Sequence, residues 1–145
     1  MEVEWLILAD AAQILGNKLY LLGGGWDALI VNTIPANQAI AIAASFRVPW
    51  GDTNQPHNVE IEIINEDDQG QPPLLRFGAQ LEVGRPPGTP PGSDQRSQLA
   101  VNSVLTFRSP GNYAVVVRVE GEQGKKLPFR VIPGPLFSTA SVPPS

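Results

Sequence analysis

Apolar and polar residues alternate with a period of two along most of this chain, and this pattern predicts β-strands. The longest alternation covers residues 38–48, where bulky side chains occupy one face and small ones, mostly alanine, occupy the other. We expect the bulky face to lie in a hydrophobic core, because large apolar side chains gain most from burial. The bulky positions are Ile40, Ile42, Ala44, Phe46 and Val48.

A hairpin is predicted near the start of the chain, although residues 8–22 include several good helix formers. Gly16-Asn17 separates the apolar segments 12–15 and 18–22. Glycine and asparagine adopt positive φ at little cost, which a two-residue hairpin turn requires. We therefore expect two antiparallel strands here.

Turn residues divide the rest of the chain in the same way. Two further hairpins are predicted, one from residues 57–65 to 74–83 and one from 113–120 to 127–131. Residues 109–112 read Ser-Pro-Gly-Asn, which places Pro and Gly where a type II turn favours them.

Composition supports one fold class. The chain contains 14 Gly and 15 Pro, which is typical of many short strands joined by turns. About nine short strands and no convincing helix predict an all-β protein, namely an antiparallel two-sheet β-sandwich of immunoglobulin-like pattern. We expect a single domain of this kind over residues 1–132.

Two segments do not fit the strand pattern. Residues 84–96 contain Gly-x-Pro-Pro twice, and the prolines remove backbone donors, so this loop is expected outside the sheets in a polyproline II conformation. Residues 133–145 are rich in proline and are expected to form an extended or disordered tail.

Absent residue types exclude several chemistries. The chain has no cysteine, which excludes disulfides, thiolate metal sites and cysteine nucleophiles.

Charge and hydrophobicity restrict the expected partners and location. The net charge of the chain is -4 and no basic run exceeds Lys125-Lys126, so nucleic acid is not an expected partner. The acidic start lacks the basic region of a secretory signal, and no stretch is apolar enough for a membrane span. We expect a cytoplasmic protein without a cofactor.

Residues 109–113, followed by alternating valines and a turn at Gly121, resemble the penultimate hairpin of bacterial immunoglobulin-like sandwiches. In the antibody branch a tyrosine near this corner hydrogen-bonds back across the turn, so the resemblance implies that role for Tyr113. The cysteine pair of that branch is missing, so the resemblance implies only the sandwich. The chain further resembles a family of short bacterial proteins of unknown function, through residues 8–10, 21–27, 46–49 and 84–88.

Two tryptophans beside turns and aspartates are candidate ligand-binding residues. Trp26 precedes Asp27, and Trp50 lies two residues before Asp52. Aromatic rings beside carboxylates suit sugars or peptides, because the ring supplies contact area and the acid supplies direction. The competing interpretation is that Trp26 closes one end of the core.

Acidic residues offer a candidate calcium site and two catalytic alternatives. Asp67 and Asp68 lie at a predicted hairpin tip, and with Asp52 from another loop they supply the oxygens that calcium prefers. His57 is the only histidine, and without a partner motif we expect a solvated side chain instead of a catalytic base. Glu60 and Glu62 share one strand face at a spacing that suits an acid–base pair.

The leading hypothesis is a non-enzymatic β-sandwich that binds a protein partner or itself. Residues 5–9 and 115–117 are apolar on both faces, which predicts a C2 homodimer through an apolar sheet face or an edge strand. The alternatives are a lectin-like or calcium-dependent binding module and a small hydrolase that uses surface carboxylates.

Overall fold

The computed structural model describes residues 1–139, and this part of the chain is almost entirely β-strand. A single turn of 3-10 helix at Trp50–Asp52 is the one helical element in the described residues, where no helix is long and apolar enough to cross a membrane. The strands are β1 (Glu2–Leu15), β2 (Lys18–Gly24), β3 (Ala28–Ile34), β4 (Ala36–Val48), β5 (Pro56–Asn65), β6 (Leu75–Glu82), β7 (Gln95–Phe107), β8 (Gly111–Val119) and β9 (Glu122–Thr139).

The strands form two sheets with one shared core. The first sheet has the order β2-β1-β4-β7 and the second has the order β3-β9-β8-β5-β6. The three predicted hairpins are confirmed as β1–β2, β5–β6 and β8–β9. The all-β prediction is therefore correct, but β3 pairs parallel to β9, so the second sheet is mixed instead of antiparallel. This strand order does not show the expected immunoglobulin-like topology.

Both faces of β4 are buried, although only the bulky face was expected in the core. The bulky residues, from Ile40 to Val48, are buried as expected. The small residues Ala41 and Ala43 on the opposite face are completely inaccessible as well. They pack with Ala9 and Ala12 in a second cluster that Trp5 flanks.

The β1–β2 hairpin causes this second burial, because it folds over the outer face of the first sheet. The side chain of Asn102 on β7 donates from Nδ2 to the Ala12 carbonyl at 2.8 Å and accepts from the Ala12 amide at 3.1 Å. Gln98, also on β7, donates to the carbonyl of Asn17 at the hairpin tip at 3.1 Å. Backbone approaching this closely leaves space only for alanine-sized side chains underneath.

The outer face of the second sheet is covered by long charged side chains. Val116 is buried there, and its neighbours across the sheet are Glu62 on β5 and Lys126 on β9. Both neighbours are held in ion pairs, Glu62 with Arg118 and Lys126 with Glu66. Their aliphatic stems shield apolar surface. The strands with two apolar faces thus find cover within their own chain, so these faces no longer argue for a dimer.

The proline-rich loop forms two consecutive turns, and the expectation of a polyproline II conformation is wrong. The amide of Thr89 donates to the carbonyl of residue 86, and the amide of Ser93 donates to that of residue 90. Gly88 and Gly92 have φ of 87° and 80° at the third turn positions. Proline followed by a glycine of positive φ is the chemistry of a type II turn. The loop is also shorter than expected, because β7 begins at Gln95.

The predicted domain boundary at residue 132 falls inside a strand. β9 continues to Thr139 and pairs with β3, with a register shift opposite Asn32. The rest of the expected tail, residues 140–145, lies outside the described residues.

The expected role of Tyr113 as a corner anchor is confirmed. Its side chain is 2% exposed, and its hydroxyl donates to the carbonyl of Ser109 at 2.6 Å. The ring stacks on Phe129 at 5.7 Å between centroids and meets Phe107 edge-on at 5.0 Å. Tyr113 therefore joins the β7–β8 corner to the aromatic centre of the core.

Candidate functional site

One face of the Trp50 ring, a candidate ligand platform, is covered by Arg85. The guanidinium of Arg85 lies 3.8 Å from the centre of the indole ring. Arg85 also donates to the carbonyl of Trp50 at 2.7 Å and to the hydroxyl of Thr53 at 2.6 Å. This cation–π contact and its hydrogen bonds fasten the proline-rich loop to the 3-10 turn.

Asp52, the partner of Trp50 in the predicted ligand site, bonds within the chain. Its carboxylate accepts from the ammonium group of Met1, and this hydrogen bond holds the pKa of Asp52 below its ordinary value. Its backbone carbonyl accepts from Nε2 of His57 at 2.7 Å.

His57 is buried, and the expectation of a solvated side chain is wrong. Its Nδ1 lies 2.9 Å from a carboxylate oxygen of Glu120 in the β8–β9 turn, while Nε2 contacts the carbonyl of Asp52. Both ring nitrogens therefore have partners inside the chain. The histidine joins two loops at this end of the molecule and has no free nitrogen to offer a substrate.

Trp26 packs on the core, as the competing interpretation predicted. Its ring meets Phe129 edge-on at 5.9 Å between centroids. The indole nitrogen is buried and has no hydrogen-bond partner among residues 1–139. Its neighbour Asp27 is exposed and lines a shallow cleft of about 380 Å³ with Asn112 and Arg130. The Trp26 ring thus packs on the core, whereas Asp27 faces solvent at the cleft.

Asp67 holds the corner before β8. Its two carboxylate oxygens accept from the backbone amide of Asn112 at 2.8 Å and from the side-chain amide at 3.1 Å, and these bonds lower its pKa. The expected type II turn over residues 109–112 is therefore not closed by its usual hydrogen bond, although Gly111 has a positive φ. The Asn112 amide bonds to Asp67, and the Ser109 carbonyl bonds to Tyr113 instead.

The three aspartates proposed for calcium are not brought together. Asp52 precedes β5, whereas Asp67 and Asp68 follow it, and a strand of 10 residues spans about 30 Å. No group of three or more His, Asp and Glu side chains within residues 1–139 is placed to hold a metal ion. Asp68 is exposed at the loop tip.

Glu60 and Glu62 are engaged by arginines. Glu62 is buried and forms ion pairs with Arg118 and Arg76. A guanidinium nitrogen of Arg76 lies 3.4 Å from a carboxylate oxygen of Glu62 and another lies 3.7 Å from one of Glu60. The pair therefore forms a charge network on the sheet surface.

The strongest surface feature was not predicted from the sequence. Large apolar side chains concentrate on the β1–β2 hairpin, and we call this group the hairpin patch: Leu15, Tyr20, Leu21 and Leu22. Elsewhere in the described chain only Ile30, Val104 and Leu136 are comparably exposed. A run of four apolar residues, 19–22, was the available signal.

The hairpin patch lies at an unprotected sheet edge. β2 is a terminal strand of its sheet and has no charged residue between Lys18 and its end. In contrast, the edge strand β6 exposes Arg76, Gln80 and Glu82 at alternate positions. The edge strand β3 also lacks charged residues, but it exposes a single large apolar side chain, Ile30. Charges along an edge oppose pairing with another chain, and an apolar edge invites it.

Comparison with known proteins gives a family but no activity. A search of curated proteins finds no match to this chain. A family profile matches residues 4–132, which is most of the chain and nearly all of the two sheets. The resemblance to a family without known activity is thereby confirmed: the chain belongs to the family of unknown function DUF6941.

Proposed function

We propose that this chain is a non-enzymatic module that self-associates through the hairpin patch, with β2 as the contact edge. The observation that carries the proposal is the concentration of exposed apolar side chains on one hairpin whose outer strand lacks edge-protecting charge. A second copy of the chain is the partner, because each copy brings the same apolar patch and the same free strand edge. Two such surfaces complement each other about a twofold axis.

The size of the patch predicts a weak association. The four side chains are between 36% and 71% exposed and together present roughly 300–400 Å² of apolar surface. This surface wraps around the edge strand, because Leu21 lies on the opposite face of β2 from Tyr20 and Leu22. Pairing two copies would bury less than the roughly 1,200 Å² typical of stable complexes. We therefore expect a dimer with a dissociation constant in the micromolar range.

The alternatives from other functional classes have less support. A carboxylate-based hydrolase requires free acids, whereas Glu60 and Glu62 are paired with arginines. A ligand site at Trp50 has less ring surface to offer, because Arg85 lies on one face of the indole. The side chains of the hairpin patch, in contrast, stay between 36% and 71% exposed in the described chain.

Sedimentation equilibrium across a concentration series tests the proposal. We expect the average mass to rise from monomer towards dimer between about 5 and 500 μM, the range expected for a small interface. Leu22→Lys places a charge in the contact and should weaken dimerisation at least tenfold. Ile30→Lys is the matched control, because Ile30 is 68% exposed and Leu22 is 71% exposed. A wild-type chain that stays monomeric at the highest concentration overturns the proposal.

A further inference from the structure

The backbone of β2 determines which of its residues can pair with another strand. Gly16 and Asn17 have φ of 57° and 61°, which gives the two-residue turn that makes Leu15 and Lys18 a hydrogen-bonded pair. In an antiparallel ladder hydrogen-bonded and non-hydrogen-bonded pairs alternate. Tyr20 therefore directs its amide and carbonyl towards β1, while Leu19 and Leu21 direct theirs towards the free edge.

At both ends of the free edge of β2, a residue with positive φ prevents further pairing with another strand. Asn17 lies in the turn, and Gly23 has φ of 60°. An ideal Cβ on Gly23 would overlap the carboxylate of Asp10. Residues with positive φ cannot continue a regular ladder. The usable edge is thus residues 18–22.

Only one antiparallel register of two copies fits these limits. A residue whose amide and carbonyl point to the free edge must pair with a residue of the second copy whose amide and carbonyl also do. The twofold axis therefore passes through Leu19, Tyr20 or Leu21. An axis at Leu21 pairs Leu19 with Gly23, and an axis at Leu19 pairs Leu21 with Asn17, and both partners have positive φ. An axis at Tyr20 pairs Leu19 with Leu21 and uses residues 18–22 alone.

We propose that two copies of the chain pair β2 with β2 in antiparallel orientation about a twofold axis at Tyr20. This inference rests on the proposed self-association and specifies its geometry. Each Leu19 exchanges both backbone hydrogen bonds with Leu21 of the second copy. The two Tyr20 side chains face each other as a cross-strand aromatic pair, and Lys18 lies opposite Leu22 of the second copy. The two four-stranded sheets join into one continuous sheet.

Disulfide trapping tests this register, because the chain contains no cysteine of its own. Residues in a non-hydrogen-bonded antiparallel pair have Cα atoms about 4.5 Å apart, within the range of a disulfide. Tyr20→Cys, at a position 54% exposed, should therefore form a covalent dimer under mild oxidation at least tenfold faster than the control Ile30→Cys. A mixture of Lys18→Cys and Leu22→Cys chains should give chiefly the mixed disulfide.

The outcomes separate the register from the association itself. Faster trapping of Leu21→Cys or Leu19→Cys than of Tyr20→Cys overturns the register. A dimer that Leu22→Lys abolishes but that Tyr20→Cys does not trap also overturns the register, while self-association stands. A monomeric wild type overturns both.

Discussion

Truncation of Tyr113 should destabilise the fold through two separable contributions. Tyr113→Phe removes only the hydroxyl that donates to the Ser109 carbonyl at 2.6 Å. Ser109 is exposed, so water can donate to its carbonyl in place of the lost hydroxyl. The variant therefore does not also lose the free energy that an unpaired buried carbonyl would cost. We therefore expect a loss of about 0.5–1.5 kcal/mol in the free energy of unfolding, the usual net value of one hydrogen bond.

Tyr113→Ala removes the ring as well. The ring is 2% exposed and contacts Phe107 and Phe129, so its loss leaves a cavity between the two sheets. Large aromatic truncations in cores cost about 3–5 kcal/mol. The alanine variant should accordingly lose at least twice as much stability as the phenylalanine variant.

Urea unfolding followed by tryptophan fluorescence measures both changes. The other tyrosine supplies a matched control, because Tyr20 is 54% exposed. At concentrations where the chain is monomeric, Tyr20→Phe and Tyr20→Ala should each change stability by less than about 0.5 kcal/mol, as surface substitutions do. Equal and small losses for both Tyr113 variants would refute the corner assignment and the inward face of β8.

Three further predictions follow from the contacts. Ala43→Leu should destabilise by about 1–3 kcal/mol or more in urea unfolding, because the folded-over hairpin leaves no space on the outer face of β4; an unchanged stability would contradict this burial. Asp67 has its pKa lowered below the ordinary value of 3.8 by the amides of Asn112, so its stabilisation is complete above that value and is lost as the pH falls through the lower folded pKa. The melting-temperature difference between wild type and Asp67→Asn should accordingly be present at neutral pH and shrink in acid, and a difference that grows in acid would contradict the assignment. Saturating calcium should leave the melting temperature unchanged, because Asp52 and Asp67 lie at opposite ends of β5; a rise of several degrees would show a site that these residues do not explain.

Local patterns predicted the strands and hairpins because they depend on neighbouring residues. The Gly16-Asn17 turn and the alternation in β4 both have local physical causes, and both predictions are confirmed. The parallel pairing of β3 with β9 depends on residues about a hundred positions apart. No local pattern encodes that choice, so antiparallel pairing was the wrong expectation.

The contacts of the candidate site residues could not be predicted for the same reason. Arg85, which lies 35 residues away in sequence, forms a cation–π contact with the Trp50 ring and donates to the Trp50 carbonyl. The loop around Arg85 has a composition that suits either polyproline II or type II turns, and the serine and threonine hydroxyls that help close the turns act only once the loop folds. The hairpin patch was visible as an apolar run, but its edge position depends on the order of strands in the sheet.

Amide hydrogen exchange at Leu19 and Leu21 tests self-association at the β2 edge most directly. Their amides face the free edge in the monomer and become hydrogen-bonded in the proposed dimer. Protection at both positions should rise with protein concentration and be absent in Leu22→Lys. Fast exchange at both positions at every concentration would contradict the account.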